Sequence, residues 1–239
     1  VLIHGAWHGA WCWNKVIPEL EFRGHQVITI DLPSHGDDKT PANSVDFDNY
    51  VATITNILDS QSDKVLLLGH SMGGIPITAA AECRPAKIKC LIYLAAILAQ
   101  NGESIVSIEQ ANLNPSLLPE SLVISKDGET ATVEKEVITE LFYHDCTDED
   151  IAYAKENLKP QALKIFNTVL ELSENNYGSI PRNYIVCLDD RAIYPEFQQS
   201  MISASPCQSV YYISSGHSPF FSHPKKLINI LSEVAKNID

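Results

Sequence analysis

The apolar run Val65-Leu66-Leu67-Leu68 leads directly into Gly69-His70-Ser71-Met72-Gly73-Gly74, and a helix-like stretch follows. A serine between glycines, with a buried strand before it and a helix after it, has the spacing of a nucleophile elbow. The turn must be sharp enough to raise the hydroxyl above the sheet. Side chains at positions 69 and 73 would then collide with neighbouring backbone. The helix that follows aims its N-terminus at the serine, so the Met72 N–H is placed to bind a developing oxyanion. The chemistry this implies is acyl transfer through Ser71.

A serine hydroxyl is a poor nucleophile until a base takes its proton, and near neutral pH that base is usually histidine. Eight histidines are available. His70 adjoins the serine but points away from it in an elbow, which suits packing. His25 and His35 precede the serine, whereas in sheets carrying such an elbow acid and base follow it, acid first. His144 falls in a long central segment, and His223 stands before Pro224 at the start of the last helix. His217 follows Ile213 by four residues, in a loop just past a strand end, where catalytic residues of parallel sheets gather. It is the expected base. The orienting acid belongs after Tyr184-Ile185-Val186-Cys187-Leu188, where Asp189 and Asp190 both qualify by position. One strand earlier the alternative place holds only Ala95-Ala96.

The first strand ends in His4-Gly5-Ala6-Trp7-His8-Gly9-Ala10-Trp11-Cys12-Trp13. Histidine-glycine at such an end suits a second oxyanion donor, the N–H of Ala6, with Gly5 letting the loop pass close to the substrate oxygen. All three tryptophans of the chain sit here. For Trp7 a pocket wall and a hydrophobic plug are equally good readings, and Trp11 and Trp13 read as packing.

These residues need a scaffold. Short Val/Ile/Leu runs alternate with amphipathic stretches, the pattern of a mostly parallel sheet flanked by helices. Strands are expected at Val1–His4, Gln26–Asp31, Lys64–Gly69, Lys89–Ala95, Asn183–Leu188 and Ser209–Ile213. Helices are expected near Asn14–Arg23, Phe47–Ser60, Met72–Cys83, Glu196–Ser203 and Pro224–Ile238. The alternation stops over residues 97–181, a gap far longer than one crossover helix needs. We read that segment as a helical cap within a single domain spanning 1–239. In it, Thr147-Asp148-Glu149-Asp150 looks like an exposed helix start.

With 239 residues, 45% of them hydrophobic and 20% charged, the chain is an ordinary globular protein. A net charge of −13 argues against nucleic acid and anionic membrane partners. No apolar run approaches the roughly 20 residues that cross a bilayer. The six cysteines show no paired or zinc-ligand spacing, and several lie inside apolar runs, which points to a reducing, cytoplasmic setting. His144-Asp145-Cys146 lacks a second ligand set, so neither metal nor organic cofactor is expected.

The same motifs carry a family resemblance. His4-Gly5-Ala6 with His8-Gly9-Ala10-Trp11-Cys12-Trp13, Asp31-Leu32-Pro33 with His35-Gly36, Gly69-His70-Ser71-Met72-Gly73-Gly74, Tyr184-Ile185-Val186-Cys187 through Pro195-Glu196-Phe197-Gln198, and Gly216-His217 together resemble the plant methylesterase and hydroxynitrile lyase branch of the α/β-hydrolases, with its bacterial relatives. The resemblance spans nearly the whole chain and implies an α/β-hydrolase fold with a mostly apolar pocket under a cap. Counting back from Pro195 as the branch does, it assigns the acid to Asp190 and supports the oxyanion donors at Ala6 and Met72. Lyases of the branch carry threonine where this chain has Gly5 and lysine where it has Ser218. Ester hydrolysis is therefore favoured over cyanohydrin cleavage.

The expectation is a carboxylic ester hydrolase acting on a small neutral ester, with Ser71, His217 and Asp190 as its triad. Gly5, Trp7, His8, Ser218 and Phe142 are expected around the substrate. A hydroxynitrile lyase and a ligand receptor on a hydrolase fold are the rivals. The only partner expected is the small-molecule substrate, with a homodimer left open.

Overall fold

The computed structural model describes residues 1–238. Its strands are β1 (Leu2–Ile3), β2 (Val65–His70), β3 (Ile88–Leu94), β4 (Leu122–Ile124), β5 (Thr130–Val133), β6 (Gln161–Ala162), β7 (Arg182–Cys187) and β8 (Ser209–Ile213). Five of them form one all-parallel sheet in the order β1-β2-β3-β7-β8. In β3 and β7 nearly every residue is buried, because helices cover both faces and leave no solvated side to alternate with. The expected strand at Gln26–Asp31 is reduced to a single bridge between Leu2 and Thr29, with Leu2 N–H donating to the Ile28 carbonyl at 2.9 Å. It lies beside a two-residue strand and is only half-buried, so little ladder is there to extend.

The helices are α1 (Ile17–Phe22), α2 (Phe47–Ser60), α3 (Gly74–Cys83), α4 (Ile105–Ala111), α5 (Ile138–Phe142), α6 (Asp148–Asn157), α7 (Lys164–Asn167), α8 (Pro195–Ala204), α9 (Pro219–Ser222) and α10 (Pro224–Asn237). Local chemistry sets their ends. Asp46 accepts from Asn49 N–H at 3.0 Å while Asn49 Oδ1 accepts from Asp46 N–H at 2.9 Å, a capping box that starts α2. Phe47, Tyr50, Ile54 and Leu58 then fall on one face and are buried. Proline stands in the first turn of α1, α8, α9 and α10, where its missing N–H costs nothing. In α10 the buried Leu227, Ile228, Leu231 and Val234 repeat at helical spacing. The tryptophan-rich loop makes a tight 3-10 turn at Ala10–Trp13, so α1 begins later than its sequence suggests.

The segment between β3 and β7 gives no strand to the main sheet. It was expected to be helical, yet besides α4 to α7 it holds a three-stranded antiparallel sheet, β4-β5-β6. Two- to four-residue strands carry too little periodicity to be read from sequence. Thr147 does cap α6, its Oγ1 accepting from Asp150 N–H at 3.3 Å. Asp150 itself is buried rather than exposed, and its carboxylate meets Lys15 Nζ at 2.6 Å, tying the segment to the loop before α1.

At the end of β2, Ser71 adopts φ +55°, a left-handed conformation that L residues avoid at a cost of about 1–2 kcal/mol. Gly69 faces the Gly73 backbone so closely that no side chain fits, and a Cβ on Gly73 would lie 2.6 Å from the His4 carbonyl oxygen. The elbow thus rests directly on the loop that leaves β1. Gly73→Ala is expected to lower stability by about 1–3 kcal/mol through overpacking against this backbone. Urea denaturation showing an unchanged midpoint would contradict it.

Candidate active site

The predicted triad and oxyanion residues leave the same edge of the sheet. Ser71 follows β2, Asp190 comes three residues after β7, His217 four after β8, and Gly5-Ala6 just past β1. His217 Nδ1 donates to Asp190 Oδ2 at 2.8 Å, both side chains being buried. That bond leaves the lone pair of Nε2 free to accept a proton. Asp190 is held in turn: its Oδ1 accepts from the N–H groups of Ala192 (2.8 Å) and Ile193 (2.9 Å), and its Oδ2 also accepts from Gln198 Nε2 (3.1 Å). Of the two aspartates that position alone left open, Asp189 is exposed and Asp190 is the one bonded to His217. Ser71 Oγ makes no hydrogen bond to the imidazole and opens into a cavity of about 350 Å³ that the residue lines. Such contacts are often loose in unliganded enzymes and tighten with substrate.

Four further histidines surround this line: the sequence reading made His70 packing, put His8 around the substrate, and gave His4 and His35 no side-chain role. His4 Nδ1 donates to the Gly5 carbonyl at 2.8 Å, while its Nε2 accepts from Leu32 N–H at 3.0 Å. Because a trans peptide sets C=O and N–H on opposite sides, tying down the Gly5 oxygen turns the Ala6 N–H the other way. His8 Nδ1 donates to the Ala6 carbonyl and its Nε2 accepts from the Tyr143 hydroxyl, both at 2.7 Å. His70 Nε2 donates to the His217 carbonyl at 2.9 Å, and the two rings stand 4.6 Å apart. His35 packs against His4, ring centres 5.1 Å apart. The signal that could have found the roles of His4 and His8 is their position flanking the Gly5-Ala6 peptide.

The cavity over Ser71 is lined by Ala6, Trp7 and Met72 from the sheet edge. Ile97, Ile105, Val106, Glu109, Gln110, Pro115, Leu118, Pro119, Leu122, Phe166 and Ile193 complete it. Trp7 has a double part. It lines the cavity, yet its Nε1 donates to the Ala131 carbonyl in β5 and its own carbonyl accepts from Lys159 N–H, both at 2.9 Å. Gly5, His8, Phe142 and Ser218, expected around the substrate, stand behind the lining. Gly5 lies under Ser71, where an added Cβ would come within 2.8 Å of the serine Cβ. His8 is occupied by Ala6 and Tyr143. Phe142 is buried with its ring 5.8 Å from Trp7 and 5.6 Å from His217, and Ser218 is fully buried at the start of α9. Among the described residues no cluster of histidine, cysteine or carboxylate side chains could hold a metal ion, and no helix is long and apolar enough to cross a membrane.

Burial keeps these histidines neutral. It pushes His8 down to about 3 and His35 to about 4, and holds His4 and His70 well below the usual imidazole value. Their folded values lie under the unfolded one, so between pH 6.5 and about 4 the unfolded chain binds more protons. Stability is therefore full above pH 6.5 and falls as pH drops through that window. At pH 5 the loss is about 2 kcal/mol for each of His8 and His35. Chemical denaturation at pH 7.5 and 5 checks this; equal stability at the two would overturn it.

Comparison with known proteins agrees with this architecture. The model of the alpha/beta hydrolase family matches residues 1–230. Putative methylesterase 11, chloroplastic, from Arabidopsis thaliana is 34% identical over 247 residues; the match takes in 99% of this chain but 63% of that protein, so the chain spans less than two thirds of the relative's length. Methylesterase 7 from the same plant is 31% identical over 98% of this chain and 95% of its own. Among solved structures, a pyrethroid hydrolase from Sphingobium faniae superposes with a TM-score of 0.88 at 28% identity, covering 98% of this chain and 96% of that one. Family model, full-length relative and superposition converge: the chain belongs to the alpha/beta hydrolase family, in its methylesterase branch.

Proposed function

We propose that this protein is a carboxylic ester hydrolase that works through an acyl-enzyme on Ser71. The observation that carries the proposal is the buried 2.8 Å bond from His217 Nδ1 to Asp190, beside an elbow whose serine hydroxyl opens into an apolar cavity. His217 Nε2 takes the Ser71 proton as Oγ attacks the ester carbonyl. The N–H groups of Ala6 and Met72 hold the oxyanion. Collapse expels the alcohol, which receives the proton from the imidazolium. Water, deprotonated by His217, then adds to the acyl carbon, and the carboxylic acid leaves as Ser71 regains its proton. Asp190 orients the ring and stabilises its charged form without accepting the proton itself.

The cavity suits a small ester with apolar acid and alcohol parts, methyl or aryl, in keeping with the methylesterase and pyrethroid hydrolase names of its relatives. Position 218 offers a serine, with no ammonium to receive a departing cyanide, so the lyase reading finds no support. We take residues 97–181 as the cap of a single domain spanning 1–239; its contacts at Trp7 and Lys15 support this. Six free thiols, three of them buried, favour a reducing compartment such as the cytoplasm.

Ser71→Ala is expected to lower kcat on p-nitrophenyl acetate by at least about 10⁴-fold, since such groups act as a unit. Asp190→Asn is expected to cost about 10⁴-fold by leaving the ring in the wrong tautomer. A Ser71→Ala protein with undiminished turnover would end the proposal.

A further inference from the structure

The helix α4 turns one face toward the cavity over Ser71. Ile105 and Val106 lie one turn before Glu109 and Gln110, and all four line the space, while Ile108 is buried away from it. Glu109 is the only ionisable side chain in that lining; the remainder, apart from Ser71 and Gln110, is apolar. Its carboxylate has no ion pair among the described residues. Burial raises its proton affinity and the Asn112 side chain lowers it, with no cation acting on it. The aromatic rings of Trp7 and Phe166 stand 6.1 Å apart in the same wall. Pockets of this kind fix a ligand's orientation with a few placed polar groups. Half-buried and without an ion pair, a carboxylate gains most from a cation that enters with the ligand.

From this we infer that Glu109 is a specificity residue of the cavity, selecting esters whose far substituent carries an ammonium group over neutral or anionic esters of the same shape. The inference rests on the hydrolase reading of the same site and amends its substrate class: the part of the ester over Ser71 stays apolar, and the far substituent carries a positive charge. A cationic group opposite Glu109 would also pull the scissile carbonyl toward a single orientation over Ser71.

The test compares 2-(trimethylammonio)ethyl acetate with its uncharged isostere 3,3-dimethylbutyl acetate on the purified chain. The kcat/KM ratio is expected to favour the cation by about five- to tenfold at low salt, and to fall to about one in Glu109→Gln. A ratio near one in the unaltered protein, or one that survives Glu109→Gln, overturns the inference. A second measurement needs no turnover: thermal shift of Ser71→Ala with millimolar choline against 3,3-dimethylbutan-1-ol, with and without Glu109→Gln. Were neither ester hydrolysed faster than by Ser71→Ala, the hydrolase reading would fall. Choline stabilisation lost in Glu109→Gln would then uphold the site, and equal shifts from the two alcohols would remove it.

Discussion

The left-handed backbone at Ser71 is the constraint on which the rest of the structure depends. A residue at φ +55° does not hold that conformation unaided. Here β2 delivers it from one side and α3 receives it on the other, and its carbonyl accepts from Ile97 N–H at 3.0 Å. The strain is compensated by surroundings that leave no relaxed alternative, because the glycines on either side press against backbone. In return the hydroxyl projects from the sheet where the loops after β1, β7 and β8 converge. Every other element of the site is arranged relative to that projection.

Around the elbow, polarity is organised through neutral rings. His4 and His8 each carry one proton and one lone pair, and each spends both on backbone or hydroxyl partners. A charged imidazole could not accept from Leu32 or Tyr143, so burial and hydrogen bonding favour the same state. Tyr143 brings the segment between β3 and β7 into this network, and Asp145 Oδ2 does so again by accepting from Gly216 N–H at 2.7 Å, next to His217. The segment above the sheet therefore helps position groups below it.

Much of this was legible in the chain. The elbow could be read because it is local: strand, turn and helix are contiguous, and the glycines report a close approach. That His217 and Asp190 come together could be read because a parallel sheet gathers its loop residues at one edge, and the Pro195–Gln198 run pointed to Asp190 over its neighbour. Gln198 was part of that run, but its bonds to Asp190 and to the Cys187 N–H depend on how α8 lies against β7, which no spacing encodes. The pocket wall was misjudged for the same reason. Phe142 and His8 are aromatic and close in space to His217, yet packing turns them into support, while the short α4 supplies the surface that faces Ser71. The small β4-β5-β6 sheet lay below the length at which alternation becomes a signal, whereas the apolar run over 26–31 suggested a full strand where the edge of the sheet keeps a single bridge.

The space beneath Ser71 has a consequence for how this scaffold can diversify. Cyanohydrin-cleaving relatives, by the resemblance drawn from the sequence, carry a threonine at the position of Gly5. In this chain a Cβ there would lie 2.8 Å from the Ser71 Cβ and 3.0 Å from His70 Nδ1, so the loop or the elbow must shift to admit it. Acquiring that threonine is thus an epistatic event: its effect depends on whether substitutions nearby let the β1 loop draw back from the elbow, which couples the order of changes along a route between the two chemistries.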